Sequence, residues 1–324
     1  MHFLQITNLF LIQIKHMNIL ALSFATAEEN LAFEEWYFEH FEEETLRIWR
    51  SPKSVVVGKH QNALAEVDLN FCLENKIPVI RRISGGGTVY HDLGNINFSF
   101  YRFVEKEKMI DYVRNLDIIK ETLVQLSYDV HMSARHDLFL GETKISGNAQ
   151  HVKRGRALHH GTLLYDADLS ALSNGIKRQK GEFVDRSVKS VRSPIANLRT
   201  HNNLGNTEVF QAKLISQLSE TFGFEMLDFN KLPDLDLEKY RKNEWNFGYS
   251  PNYSFEKSDG NWQAKLMVER GGLIKSALIS KNGVLEKELN EWIEGKQHFH
   301  KELSIELEAS DFAHLSEEIM DLLF

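Results

Sequence analysis

The stretch PVIRRISGGGTVYHDLGNINFSF, residues 78–100, decides how this chain is read. Pro78 to Ile83 is apolar and β-branched, the mark of a buried strand. Ser84-Gly85-Gly86-Gly87 follows, and three consecutive glycines would weaken any regular element, so the backbone here needs freedom. Thr88-Val89-Tyr90 restarts a strand, Asp92 to Asn95 makes a turn, and Ile96 to Phe100 alternates as a strand again. No Gly-Lys-Ser/Thr follows the glycines, so this is not a Walker A loop. A dinucleotide fingerprint feeds a helix, whereas this loop feeds a β-branched strand. A glycine turn between strands still lets backbone N–H groups approach a phosphate closely. Arg81 and Arg82 flank it with planar, charged donors. On these residues alone, an anion-binding loop and a tight turn with two surface arginines stand level.

Three later stretches shift the balance. Residues 141–150 read GETKISGNAQ, with Lys144 just before another Ser-Gly. HHGTLL follows at 159–164 and SVRSPIANL at 190–198. In this order and spacing, RRISGGGTVYHDLGN, TKISGNAQ, HHGTLL and SVRSPIANL resemble the lipoate–protein ligases, from about Asn30 to the C-terminus. The resemblance implies an α+β fold: a mixed-sheet catalytic domain of the biotin/lipoate ligase type with a small α+β C-terminal accessory domain. It implies two steps, activation of lipoate by ATP to lipoyl-AMP and transfer to a lysine of an acceptor. Acceptors would be the lipoyl domains of 2-oxoacid dehydrogenase E2 subunits and the glycine cleavage H protein.

The same resemblance supplies site expectations. Lys144 is the catalytic residue, contacting the lipoate carboxylate and the α-phosphate. Arg82, Gly87, Thr88, Val89, Tyr90 and Asp137 join it at ATP. Leu31, Arg82, Ser84, Gly85, Gly86, His91 and His160 join it at lipoate, with Phe33 and Glu34 near the acyl pocket. Ser190, Val191 and Arg192 belong to a loop covering the adenylate. Magnesium is expected with ATP, its protein ligands unknown, and no structural metal. The residues themselves carry part of this. Both reactants of the first step are anionic, so fixed positive groups and N–H donors are required. A lysine on a half-buried strand must aim its ammonium at something or meet solvent. The His159-His160 pair does not read as a zinc site, because adjacent strand residues point to opposite faces and no carboxylate or cysteine cluster completes it.

The 324 residues favour two domains. A formal charge of −8 disfavours a general nucleic-acid-binding role. Cys72 is the only cysteine, so neither an intrachain disulfide nor a Cys-rich zinc site can form, which suits a reducing cytoplasm. Its apolar neighbours favour a core thiol over a reactive one. The apolar run at residues 3–14 is too short and too polar to span a membrane, and it lacks the flanks of a signal peptide. Residues 1–16 therefore read as an extension ahead of a domain that opens near Met17.

Periodicity predicts helices at 27–41, 66–75, 111–126, 168–174, 208–222, 284–293 and 310–323. Strands are expected at 18–23, 45–49, 54–58, 129–132, 137–140, 144–150, 253–257, 262–269 and 273–280. Residues 175–193 are basic, polar and punctuated by Gly175 and Gly181, which reads as a mobile loop. The domain reading is catalytic at 17–229, linker at 230–249 and accessory at 250–324. Rival readings are an octanoyl or lipoyl transferase, cysteine-dependent or not, a more distant biotin ligase, and a non-catalytic module that binds lipoyl domains.

Overall fold

The computed structural model describes residues 17–105, 111–176, 181–191, 193–229 and 232–324. The expected extension at 1–16 lies outside them, as does Arg192.

Six strands make the largest sheet, in the order Asn148–Lys153, Arg156–Leu164, Asn95–Phe103, Thr45–Trp49, Asn18–Leu20 and Glu225–Met226. Asn18–Leu20 pairs in parallel with both neighbours, and the remaining contacts are antiparallel. The helices Tyr112–Gln125 and Thr207–Phe222 bury Leu116, Ile119, Phe210 and Leu214 among Ile48, Phe98 and Phe100 of this sheet. The helix Ala27–His40 carries Phe33, Tyr37 and Phe38 into a separate cluster with Ile83 and Tyr101. Its start is fixed by a capping box, in which the Thr26 hydroxyl and the Glu29 carboxylate accept each other's backbone N–H.

A small sheet beside it positions the glycine stretch. Ser54–Val57 is its middle strand, with Val79–Arg81 parallel on one side and Val89–His91 antiparallel on the other. Residues 82–88 therefore cross from one edge to the other. Two backbone bonds pin the crossing, Arg82 N to Val57 O at 3.0 Å and Lys59 N to Ser84 O at 2.7 Å. Val130–Met132, Leu138–Leu140 and Thr143–Ser146 form a third, antiparallel sheet.

The fourth sheet holds the C-terminal strands Tyr253–Asp259, Trp262–Glu269, Leu273–Lys281 and Val284–Leu285. Its first strand comes from elsewhere. Glu182–Asp185, inside the segment expected to be a mobile loop, pairs antiparallel with Tyr253–Asp259. Phe183 packs its ring 4.8 Å from that of Phe255 and 5.7 Å from that of Tyr253. The helices Lys287–Ile293, His300–Glu308 and Ser316–Leu323 cover the inner face. Their apolar cluster is continuous with Val57, Leu64, Cys72 and Tyr90.

Several boundaries differ from the sequence reading. The helix expected at 66–75 is two, Ala63–Glu66 and Leu69–Glu74, because Asp68 caps the second by accepting the Phe71 N–H. The last expected helix begins only at Ser316, and His300–Glu308 is an additional one. Residues 284–293 open as the strand Val284–Leu285, since Asn282 and Gly283 both take positive φ and turn the chain back. The strand expected at 144–150 breaks at Gly147 into pieces belonging to different sheets.

Candidate active site

Arg82 builds the glycine loop from within. It is buried, and its Nη2 donates to the carbonyls of Gly85, at 2.5 Å, and Gly87, at 2.6 Å. Nη1 reaches Val56 O and Nε reaches Ser84 Oγ at 2.8 Å. With those carbonyls drawn to the guanidinium, the amide N–H groups of Gly86 and Gly87 have no acceptor among the described residues. Gly86 takes φ +80°, which favours glycine, and the Arg82 Nη2 atom lies 3.1 Å from where a Cβ would stand. Burial pushes Arg82 down to about 10, which leaves it charged at neutral pH. Arg81, its sequence neighbour, is no surface arginine. It is fully buried and donates to the carbonyls of Gly58, Lys59, Gln61, Trp245 and Asn246, tying the glycine loop to the C-terminal connection.

Behind the loop runs a polar chain. Ser84 Oγ lies 2.6 Å from His160 Nε2, and His160 Nδ1 lies 2.9 Å from Glu34 Oε2. Ser99 donates to Glu34 and receives the Trp49 indole N–H. Burial would raise the Glu34 carboxyl, but His160 and the hydrogen bonds from His160 and Ser99 outweigh it and hold the group low. With Glu34 ionised, His160 donates to it through Nδ1, and Ser84 Oγ faces the other ring nitrogen.

Two cavities of about 260 and 250 Å³ open beside this framework. Leu31, Trp49, Val56, His91, Asn97 and His160 line the inner part of the first. The second is lined by Tyr90, Ser146, Leu164, Leu172, Ile176 and Ile195. Lys144, Gly147, Thr88, Val89, Ser190 and Val191 border both. Lys144 Nζ pairs with Asp137 Oδ1 at 2.9 Å. The break at Gly147 gives the lysine its path: a Cβ on residue 147 would meet Lys144 Cε and Nζ, each at 3.3 Å.

The structure thus brings Lys144, Asp137, Arg82, Gly86, Gly87, Thr88, Val89, Leu31, His91 and His160 to the first cavity, and Tyr90 to the second. Ser84 and Gly85 border neither; they stand behind the wall, bonded to Arg82. Phe33 is fully buried beside Tyr37, away from both cavities.

Sequence reading missed the groups that hold residues 185–190 in place. Gln61 donates to Val188 O and Ser190 Oγ, Asn62 to Asp185 Oδ2, and the Thr88 N–H to Ser190 Oγ at 3.0 Å. Gln61-Asn62 directly follows an expected strand, and that polar pair beside a turn was the one available signal. Cys72 is 1% exposed, borders neither cavity, and is pushed by burial up to about 12.

A glycine loop with free N–H groups, a lysine between two cavities and a buried arginine brace suit paired anionic substrates. Residues 26–223 match the lipoyl protein ligase A/B catalytic domain, and the chain belongs to that family. It is similar to lipoate-protein ligase LplJ of Bacillus subtilis, 29% identical over 317 residues, 91% of this chain and 96% of the relative. It is 35% identical to lipoate–protein ligase 1 of Staphylococcus aureus over 256 residues, 75% of this chain and 77% of the relative. A putative lipoate protein ligase of Thermoplasma acidophilum, solved with bound lipoic acid, matches at TM-score 0.60 and 27% identity, covering 72% of this chain and 100% of that one. A lipoate-protein ligase A solved with ATP matches at 0.58 and 27%, with coverage of 72% and 100%. A structural study of a bipartite Thermoplasma acidophilum ligase and its E2 lipoyl domain gives a match at 0.58 and 27%, with coverage of 73% and 98%.

Proposed function

We propose that this chain activates lipoate with ATP and transfers the lipoyl group to a lysine of a lipoyl domain. The observation that carries this is Lys144, set on the border of two cavities beside the Gly86 and Gly87 N–H groups, which have no acceptor among the described residues. Lipoate occupies the first cavity and the nucleotide the second. A lipoate carboxylate oxygen attacks the α-phosphorus, a phosphoanhydride bond breaks, and pyrophosphate leaves. The acceptor amine then attacks the carbonyl carbon of the mixed anhydride, an amide forms and AMP departs. Lys144 holds carboxylate and α-phosphate together against their repulsion, and Asp137 orients its ammonium. Gly86 and Gly87 offer backbone donors to the phosphates, Thr88, Val89 and Tyr90 border the nucleotide cavity, and Arg82 keeps that loop in shape. Leu31, His91 and His160 bound the acyl chain. Ser84 and Gly85 act through Arg82 and His160 rather than by contact. Ser190 and Val191 border both substrates.

Magnesium enters as part of the nucleotide substrate. Among the described residues no three His, Cys, Asp or Glu side chains cluster to hold a resident ion. A thioester route has no support from Cys72, which is buried, protonated and borders neither cavity. We assign residues 17–229 as the catalytic unit, 230–249 as a linker and 250–324 as the accessory unit, completed by Glu182–Asp185. The acceptors are lipoyl domains of E2 subunits and, in finer detail, the glycine cleavage H protein, met in the cytoplasm. Among the described residues no helix is long and apolar enough to cross a membrane.

The deciding experiment is lipoate-dependent exchange of labelled pyrophosphate into ATP, followed by mass measurement of an added lipoyl domain. Exchange plus a lipoyl mass increment is expected. Neither, with acceptors that a known ligase modifies, would overturn the reading.

A further inference from the structure

Of the adjacent pair His159-His160, the site described above uses only the second. His159 turns to the opposite face of its strand, where the helix Tyr112–Gln125 brings Asn115 against it. The ring is buried and stands between two amides. Asn115 Nδ2 lies 3.1 Å from its Nδ1, and Asn148 Oδ1 lies 3.0 Å from its Nε2. The direction of these bonds is fixed from the far end. Asn148 donates its Nδ2 to the His136 carbonyl, which can only accept. Its Oδ1 is therefore the atom that faces His159, so Nε2 carries the ring proton and Nδ1 accepts from Asn115. Burial pushes His159 down to about 3, so the ring stays neutral and keeps this one tautomer.

The chain of bonds ends beside the lysine. His136 takes φ +60°, a conformation that a residue with a side chain holds only under constraint. It directly precedes Asp137, whose Oδ1 pairs with Lys144 Nζ. The turn bonds itself through Ser133, whose carbonyl accepts the His136 N–H at 2.9 Å and whose hydroxyl accepts the Asp137 N–H at 3.2 Å. Among the described residues, and Lys144 apart, the Asn148 amide makes the only side-chain hydrogen bond that reaches residues 133–137 from another segment. Tyr112 completes the packing, with its ring stacked on His136 at 5.2 Å and edge-on to His159 at 5.0 Å. Asn148 borders the first cavity, whereas His159 borders neither.

Resting on the ligase reading above, we infer that His159 is a positioning residue for Lys144. Its Nε2–H fixes the Asn148 amide, the amide fixes the His136 carbonyl, and the constrained turn thereby presents the Asp137 carboxylate to the ammonium. His159 acts entirely through this chain and touches no substrate.

The test measures lipoate-dependent pyrophosphate exchange for the full-length protein and for His159→Phe, His159→Gln and Asn148→Ala, each also combined with Asp137→Asn. His159→Phe keeps the bulk of the ring and removes the donor. Its kcat should fall about tenfold, short of the about 100-fold that a misplacement of about 1 Å can cost, with KM for lipoate little changed. His159→Gln puts an amide N–H near the Nε2 position and should recover most of the rate. Asn148→Ala breaks the chain one link later and should match His159→Phe. With Asp137→Asn already present, neither should lower kcat further, because the contact they serve is gone. A wild-type rate in His159→Phe, an equally slow His159→Gln, or losses that multiply with Asp137→Asn would each overturn the inference. If His159→Phe fails to fold, Asn148→Ala and its combination with Asp137→Asn decide the matter. Absence of exchange in the wild type would sink the ligase reading instead. Acetylation of Lys144 by acetic anhydride, read by mass spectrometry, would then still test the positioning. An amine released from Asp137 should react several-fold faster in His159→Phe and Asn148→Ala, and rates equal to the wild type would overturn the role assigned to His159.

Discussion

The Lys144 side chain lies across the backbone of Gly147, its Cε and Nζ both 3.3 Å from the place a Cβ would take. The lysine's reach therefore depends on a missing methyl group three residues away. Gly147→Ala should push the ammonium aside by a few tenths of an ångström. Pyrophosphate exchange should fall several-fold, and Gly147→Val should lower it further, with thermal melting changed little. A misplacement of about 1 Å can cost about 100-fold for reactants held in line, so a few tenths of an ångström should cost several-fold. Exchange unaltered in both variants would show that Lys144 works from another position.

Removing the charge itself should be worse. Lys144→Ala is expected to cost about 100- to 1,000-fold in adenylate formation, the usual loss for a preorganised electrostatic contact. Lys144→Arg should restore little, because a planar fork cannot replace a compact ammonium between two anions. Cys72→Ser should retain turnover, since the thiol touches neither cavity. Rapid-quench detection of lipoyl-AMP separates these outcomes, and loss of turnover in Cys72→Ser alone would revive the thioester route.

Arg81 predicts a stability effect without a direct chemical one. Five carbonyls and the Ser250 hydroxyl accept from its guanidinium. Arg81→Met strands these acceptors, so destabilisation of about 3–5 kcal/mol is expected, as for breaking a buried charged network. Urea denaturation gives the magnitude. Amide exchange should quicken first at residues 245–250; uniform quickening would mean that the clamp is not local.

Acid should loosen the C-terminal unit. His298 accepts from the Tyr253 hydroxyl at Nδ1 and donates to Leu323 O through Nε2, and burial pushes it down to about 4. Its folded-state value lies below the ordinary 6.5, so the unfolded chain binds the proton more readily. Stability from this group is full above pH 6.5 and is lost as pH falls from 6.5 toward 4, at up to about 1.4 kcal/mol per pH unit. Chemical denaturation followed across that window should show the slope, and His298→Gln should flatten it. An identical slope in the variant would assign it to other histidines.

Much of this was legible beforehand, for identifiable reasons. The strands around the glycine stretch announced themselves through β-branched runs, whereas the glycines and Lys144 gained a functional reading only from the resemblance carried by the whole motif set. The first helix was expected from the apolar and acidic pattern of residues 27–41, and the Thr26–Glu29 capping box that starts it came from the structure. What could not be read was long-range. Arg81 and Arg82 look alike in sequence, yet one clamps the C-terminal connection and the other braces the loop, because burial depends on what packs over them. Glu34, His160 and Ser84 meet from three distant segments, so no spacing links them. The strand Glu182–Asp185 reads as a solvated loop because its pairing partner lies about seventy residues downstream and only Phe183 hints at burial.

That strand also decides how the chain can be divided. A fragment containing only residues 250–324 would lose its neighbour along Tyr253–Asp259 and show a bare row of backbone donors and acceptors beside an uncovered Phe255. Such an edge recruits other copies of itself. The C-terminal unit is thus not a cassette that can be excised or grafted at the connection near residue 249. Any exchange between relatives would have to carry residues 182–185 with it, and three cuts in the chain would be needed where the sequence suggests one.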